Sequence, residues 1–179
     1  TYTFNGTAAQ HTIVKNTNDI TVDSLQSTNV QFKLADHERV VFSDKAIAFD
    51  ASGNAGGVYA ILSAALGVAD VTKAYEGIGI SLADAGWSKV RMAEALLGTE
   101  LYKTDAGGVS NETFIKHVYK NVFGTDATLT QVQSYTSWMD SNHLSQAQVL
   151  VQASELKSFE TTIGLVGLAT TGIEYTPVV

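Results

Sequence analysis

The sequence predicts an α+β fold that is mainly α, with a small N-terminal antiparallel β element followed by a helical bundle of two degenerate repeat units. Residues 1–50 contain short runs in which apolar and polar residues alternate, as is typical of strands. From Asn54 onward, apolar residues recur at the three- and four-residue steps of helices. We therefore expect a β-rich N-terminal element over residues 1–53 and a helical domain over residues 54–179.

The composition fits one globular domain of ordinary size. The chain has 179 residues, of which 45% are hydrophobic and 16% charged. Its net charge is −7 and it has no cluster of Lys or Arg, so no nucleic-acid partner is expected. The absence of cysteine excludes disulfides, zinc thiolate sites and thiol nucleophiles. The uncharged run Ala55–Ala69 is shorter than the roughly 20 residues of a membrane-spanning helix, so we expect a buried helix and no membrane span.

The N-terminal element should form short antiparallel strands separated by polar turns. Alternating or β-branched runs predict the strands at Tyr2–Phe4, Thr12–Lys15, Ile20–Val22, Val30–Leu34 and Arg39–Phe42. A sheet of this size is marginally stable alone. We therefore expect it to pack on the helices or to continue an upstream sheet.

The clearest helical signal is the stretch from Asn111 to Phe123, whose apolar residues gather on one face. Ser110 or Asn111 can cap the first turn, and Gly124 can take the left-handed conformation that ends a helix. The apolar stripe of this helix is Phe114, Ile115, Val118, Val122 and Phe123. We expect Phe123 to be a core residue.

An earlier stretch repeats this pattern at a constant offset. Val58, Ile61, Leu62, Ala65, Leu66 and Gly67 align with Ile115, Val118, Tyr119, Val122, Phe123 and Gly124. Further along, the run starting at Trp87 aligns with the run starting at Leu144, with Ser88 and Ser145 as matching N-caps. Amphipathic helices share apolar positions by chance, but matching glycine and cap positions favour duplication. The predicted repeat units are residues 56–103 and 111–160, followed by a tail at 163–179.

The helical domain should contain six helices and one further short helix before the tail. The predicted helices are Asn54–Leu66, Val71–Ile80, Ser88–Leu97, Asn111–Phe123, Leu129–Ser141, Ser145–Thr162 and the short Leu165–Thr170.

The sequence lacks a recognisable catalytic constellation. Its four histidines have no ligand spacing, and each lies in a separate predicted element. It has no Gly-x-Ser-x-Gly elbow and no Gly-Lys-Ser/Thr phosphate loop. The chain is therefore predicted not to be an enzyme.

The turn before the first helix allows two interpretations. Three residues with oxygen ligands have the spacing found at the start of a calcium-binding loop, namely Asp50, Ser52 and Asn54. The complete loop pattern fails, because Ala55 replaces the glycine at position six and Ile61 the glutamate at position twelve. The turn is thus either a calcium site or a cap on the helix that follows.

Three aromatic residues in the helical part are candidates for ligand binding. The rings of Trp87, Tyr135 and Trp138 can stack on sugars. The competing interpretation is that they belong to the core, as aromatic residues at helical spacing often do.

Several segments of the chain resemble a family of exported bacterial proteins. The run from Glu38 to Gly56 is similar to the segment that joins the last strands of haemolysin-type (RTX) proteins to a C-terminal helical domain of unknown function. Phe114–Gly124 and the stretch from Leu144 to Glu155 resemble the repeat unit of that domain, which also occurs in surface-layer proteins and adhesins. The ending from Leu165 to Pro177 is similar to the tail of such proteins. This chain lacks the tandem Gly-Gly-x-Gly-x-Asp repeats of such proteins and departs from their usual loop after each helix.

The resemblance implies export by a type I secretion system and a secreted or cell-surface location. It brings no catalytic residues. The favoured hypothesis is a non-catalytic domain for assembly, attachment or export, whose partners are the secretion machinery and other surface proteins. The alternatives are a module that binds cell-surface glycans and an export appendage of a secreted enzyme. The tail from Gly172 is either an accessible secretion signal or a segment that packs through Ile173 and Tyr175.

Overall fold

The computed structural model describes residues 1–26, 31–35 and 38–178 and has the predicted α+β, mainly α architecture. Val30, the predicted start of a strand, and His37 lie outside the described residues. The strands are β1 (Tyr2–Thr3), β2 (His11–Lys15), β3 (Asp19–Ser24), β4 (Gln31–Ala35), β5 (Arg39–Val41), β6 (Ala46–Ala48) and β7 (Ile173–Tyr175). The helices are α1 (Asn54–Leu66), α2 (Lys73–Asp84), α3 (Lys89–Leu97), α4 (Glu100–Asp105), α5 (Asn111–Phe123), α6 (Leu129–Ser141), α7 (Gln146–Ser154), α8 (Lys157–Thr162) and α9 (Leu165–Thr171). Short 3₁₀ turns cover Ala8–Gln10 and Val68–Asp70.

The strands form two sheets. Strands β2, β3 and β4 make an antiparallel meander, in which Ile20 lies opposite Leu34. The other sheet has the order β1-β5-β6-β7. Its β5, β6 and β7 are antiparallel neighbours, whereas β1 at the edge pairs with β5 in parallel.

The four-stranded sheet lies between the meander and the helices. Successive residues of a strand face opposite sides of the sheet, and the residues of β6 follow this rule. Ile47 belongs to a core shared with Ile20 and Val22 of the meander. Ala46 and Ala48 belong to the helical core. Because alanine side chains are small, this face of β6 allows the helices to approach the sheet closely.

Helix α1 is the centre of the helical layer. It packs against α2, α3, α5 and α7, and most of its residues are buried. The helix is therefore apolar on all sides, as expected of an interior helix. Its last carbonyls are satisfied from α5, since Asn121 Nδ2 donates to the Ala64 and Ala65 oxygens at 3.2 Å and His117 Nε2 lies 2.6 Å from the Ala65 oxygen.

The repeat predicted from the sequence is present in the helix boundaries. Helices α1 and α5 begin at Asn54 and Asn111, 57 residues apart. The same offset relates α3 to α7 and α4 to α8 in both their first and last residues. Ser88, Ser110 and Ser145 are N-caps as predicted, and each accepts a hydrogen bond from the backbone N–H three residues later.

Several elements differ from the sequence prediction or were missed. The α2 helix covers Lys73–Asp84 rather than Val71–Ile80, and β7 was not predicted as a strand. The single helix expected at Ser145–Thr162 is broken at Glu155 and Leu156, which has an extended backbone. On a continuous helix, Phe159 would point about 180° away from Leu150, because nine residues at 3.6 per turn make two and a half turns. Both side chains are fully buried, so the break is what brings Phe159 into the core. The short β6 and α4 were missed altogether.

The tail packs as a strand at the edge of the four-stranded sheet. Strand β7 pairs with β6, and its Ile173 and Tyr175 are buried. Glu174 forms ion pairs with Lys45 and Lys73, and the Thr176 N–H donates to the Lys73 oxygen of α2 at 2.9 Å. The tail therefore packs through Ile173 and Tyr175, as one of the two interpretations of the sequence expected.

A buried arginine joins the sheet to the helices. Arg39 of β5 donates from Nε and Nη2 to the two carboxylate oxygens of Asp50, at 3.2 and 2.7 Å, and also pairs with Asp84 at the end of α2. Burial alone would lower the pKa of Arg39, but the two carboxylates raise it overall. The guanidinium thus stays charged and links β5 to the turn before α1 and to the end of α2. Across the described residues, no helix is long and apolar enough to cross a membrane.

Candidate functional site

Each repeat contains an apolar groove between its first three helices. The first-repeat groove lies between α1, α2 and α3, has a volume of about 260 Å³, and is lined by Val58, Ile61, Leu62, Tyr75, Ile78, Gly79, Leu82, Met92, Ala95, Leu96, Thr99 and Leu101. The second-repeat groove lies between α5, α6 and α7, has a volume of about 170 Å³, and is lined by Ile115, Val118, Tyr119, Val122, Phe123, Tyr135, Trp138, Val149, Gln152, Ala153 and Leu156.

The two grooves occupy equivalent places in the repeats. At the offset of 57 residues, the lining pairs are Val58 with Ile115, Ile61 with Val118, Leu62 with Tyr119, Ile78 with Tyr135, Met92 with Val149, Ala95 with Gln152, Leu96 with Ala153 and Thr99 with Leu156. The pairs at the base stay aliphatic, whereas two rim positions change from aliphatic to aromatic. The grooves therefore share a position and an aliphatic base but differ in volume and in the chemistry of the rim.

The second-repeat groove has an exposed aromatic rim. Tyr135 and Trp138 of α6 are each 38% exposed, and Phe123 at the end of α5 is 45% exposed. The Tyr119 ring centroid is 4.5 Å from that of Phe123 and 6.2 Å from that of Tyr135. The Tyr119 hydroxyl accepts a hydrogen bond from Gln131 Nε2 at 2.8 Å, which fixes this ring. Such an exposed apolar patch around a groove is typical of an interaction site.

The expectation that Phe123 lies in the core was wrong. Its repeat counterpart Leu66 is only 4% exposed. The reason is the position of the two helices, since Leu66 ends the central helix α1 whereas Phe123 ends α5 at the open side of the groove.

The structure brings together two of the three predicted aromatic site residues. Tyr135 and Trp138 line the second-repeat groove, one helical turn apart. Trp87 lines neither groove; it lies just before α3 and packs on the helical core. The Arg91 guanidinium lies over the Trp87 ring at 3.7 Å from its centroid, a cation–π contact.

The three residues of the predicted calcium turn point toward different partners. Asp50 is buried, with both oxygens bonded to Arg39, and its Oδ2 also accepts from the Ala55 N–H at 3.1 Å. Asn54 donates to Asp84 Oδ1 at 2.9 Å, and Ser52 is exposed. A calcium ion would have to compete with a guanidinium for Asp50. Among the residues that the structure describes, no group of three or more His, Cys, Asp or Glu could hold a metal. Calcium at this turn stays a prediction.

The sequence interpretation missed a buried carboxyl group. Glu76 of α2 is 1% exposed, and neither of its oxygens has a hydrogen-bond partner within the described part of the chain. Burial raises its pKa to about 8. The signal that could have revealed it is its spacing, because Glu76 precedes the buried Ile80 by four residues and so shares its face.

Part of the chain matches a known protein family. Residues 93–162 match a family model described as a domain of unknown function (DUF4214). The matched stretch runs from within α3 to the end of α8 and contains every residue that lines the second-repeat groove. No curated protein and no solved structure matches the chain. The match supports the prediction of a domain of unknown function in this region.

Proposed function

We propose that this chain is a non-catalytic domain of a secreted or cell-surface bacterial protein of the RTX type, and that it serves attachment or assembly. The observation that carries the proposal is the second-repeat groove, in which an exposed aromatic rim surrounds an aliphatic base. An exposed apolar patch around a groove is typical of a surface that binds a partner. The sequence resemblance supports the exported location and the surface role.

A binding role also agrees with the chemistry of the groove. None of the residues that the structure places in its lining is His, Asp, Glu, Lys, Arg, Ser or Thr, which are the usual acids, bases and nucleophiles. The groove therefore offers apolar contact and a few neutral polar groups, which suit recognition better than bond cleavage.

The attachment role can be tested by retention on cells. A fluorescently labelled chain should remain on the surface of intact bacteria after washing, and a Phe123→Ala/Trp138→Ala variant should be washed off. Lys120→Ala is the matched control, because Lys120 is an exposed residue of the same α5 helix and lies outside the groove. Equal retention of all three proteins would contradict attachment through this groove.

Two alternative functions are kept because particular residues favour them. A glycan-binding module is favoured by Tyr135 and Trp138, which line one groove together. An export appendage of a secreted enzyme is favoured by the sequence resemblance of the tail. We expect deletion of residues 172–179 to reduce secretion by a type I system. Unchanged secretion, measured against the intact chain at equal expression, would exclude a signal in this segment.

A further inference from the structure

We infer that the second-repeat groove binds a neutral pyranose ring of a glycan, stacked on the rings of Tyr135 and Trp138. The inference rests on the proposed attachment function and names its ligand. Four observations carry it: the aromatic residues that distinguish the two grooves, the free polar groups on the rim, the absence of charge and the size of the groove.

The first observation is the difference between the two repeats. Where the first repeat has Leu62, Leu66 and Ile78, the second has Tyr119, Phe123 and Tyr135. Core packing does not require these rings, because Phe123 and Tyr135 remain 45% and 38% exposed. The base residues stay aliphatic in both repeats. Of the described lining residues, four are aromatic in the second-repeat groove and one, Tyr75, in the first-repeat groove. The exposed rings of the second-repeat groove can contact the apolar face of a sugar.

The second observation concerns hydrogen bonding on the rim. In the described part of the chain, no partner is found for the Tyr135 hydroxyl, the Trp138 indole N–H or the Gln152 amide. Gln152 replaces Ala95 of the first repeat and adds both a donor and an acceptor to the wall. A pyranose ring has apolar C–H groups on its faces and hydroxyls around its edge, so it needs both aromatic surface and such polar groups.

The third observation is electrostatic. No Asp, Glu, Lys or Arg is found among the described residues that line the groove. A charged sugar would lose hydration on entering an uncharged apolar groove and gain no ion pair there. The net charge of −7 further disfavours anionic ligands such as sialylated or uronic glycans. A neutral ring is the occupant that this surface accommodates.

The fourth observation is size. The groove volume of about 170 Å³ is below the roughly 300–1,000 Å³ of pockets that enclose drug-sized ligands. A partner helix would need a longer groove with several apolar subsites along one line. The second-repeat groove therefore fits one ring with its neighbours left in solvent.

The test is a glycan array that carries neutral and acidic glycans side by side, probed with the intact chain and four variants. We expect binding to neutral glycans, with Trp138→Ala and Tyr135→Ala each weakening it by about tenfold or more. Gln152→Ala, at an exposed residue whose loss leaves the core unchanged, should weaken it several-fold. Ile78→Ala is the matched control, since it removes the equivalent residue of the first-repeat groove and should leave binding unchanged.

Circular dichroism of each variant separates lost binding from lost folding. If Trp138→Ala does not fold, Tyr135→Ala and Gln152→Ala still decide whether the groove binds the glycan. The inference is overturned by binding to no glycan, by binding to acidic glycans only, or by neutral-glycan binding that survives in the folded rim variants. Retention on cells without glycan binding would leave the attachment function in place and remove only its proposed ligand.

Discussion

Leu66 and Phe123 occupy the same position in the two repeats but have different surroundings. Leu66 is buried at the end of α1, so Leu66→Ala should leave a cavity and lower the free energy of unfolding by about 2–5 kcal/mol. Phe123→Ala removes a half-exposed ring, so we expect a cost of about 1–2 kcal/mol. Lys120→Ala should change stability by less than about 0.5 kcal/mol, because its ion pair with Asp126 is exposed. Denaturant unfolding of the three variants measures these values, and a larger loss for Phe123→Ala than for Leu66→Ala would contradict the assigned burial.

Glu76 should make the stability of the protein depend on pH. Burial raises the pKa of Glu76 to about 8 in the folded state, whereas in the unfolded chain its pKa is near the ordinary glutamate value of 4.5. Between these values the folded protein holds a proton that the unfolded chain has lost, so the free energy of unfolding falls as pH rises. The contribution of Glu76 to stability is fully present below about pH 4.5 and is lost by about pH 8, with a total on the order of 5 kcal/mol.

The Glu76→Gln variant tests this expectation, since its side chain is similar in shape but does not ionise. Denaturant unfolding at a series of pH values between about 5 and 8 should show a steeper loss of stability in the unaltered chain than in this variant. Glu112→Gln is the control, because Glu112 is exposed on α5 and should not change the slope. Equal slopes for the unaltered chain and Glu76→Gln would mean that Glu76 is not the group that titrates.

At the residue scale, the sequence predicted which types of residue form the candidate site better than where these residues lie. Trp87, Tyr135 and Trp138 were equally plausible ligand residues, since each ring has sufficient area. Only the packing of α5, α6 and α7 around one groove separates Tyr135 and Trp138 from Trp87. Periodicity identifies the face of a helix, but it does not show whether another element covers that face.

At the scale of elements, Gly77 of α2 should be intolerant of a side chain. A Cβ at this position would lie 1.7 Å from the Thr176 carbonyl oxygen, which belongs to the backbone just after β7 and cannot move independently of it. We expect Gly77→Ala to displace the tail and to lower the free energy of unfolding by about 2 kcal/mol or more. Limited proteolysis near Thr176 should become faster in this variant.

Gly57→Ala provides the matched control in helix α1. A Cβ at Gly57 would meet the flexible end of Lys89, at 3.2 Å from its Cε. Because alanine has the higher helix propensity, this variant should be neutral or more stable by up to about 1 kcal/mol. Similar destabilisation of both variants would show that the tail contact is not the cause.

The long helices could be predicted from sequence and the short elements could not, for a physical reason. Helices α1, α5 and α6 begin and end where the pattern predicts, because each has several turns and a recognisable cap or glycine. The α4 helix has six residues, and β6 and β7 have three each, too few for a period to be visible. These short elements are held in place by long-range contacts, such as the pairing of β6 with β7.

At the scale of the whole molecule, buried contacts cross the predicted boundary between residues 53 and 54. Arg39 of the sheet pairs with Asp84 at the end of α2. Ala46 and Ala48 belong to the helical core, and the β7 strand from the C-terminal tail completes the sheet. We therefore expect the sheet and the helices to unfold in one cooperative transition. Hydrogen exchange in moderate denaturant should give the same opening free energy for amides of β3 and of α1.

Deletion of residues 172–179 should then weaken both parts of the molecule together. It removes the buried Ile173 and Tyr175, whose burial contributes about 1.5–3 kcal/mol each, and it leaves the edge of β6 unpaired. We expect the opening free energies of β3 and α1 to fall by similar amounts, about 3–6 kcal/mol. A shorter deletion of residues 177–179 keeps β7 and should have little effect. If the longer deletion weakens β3 alone while α1 keeps its protection, the helical layer is stable without the sheet, and the two parts unfold as separate units.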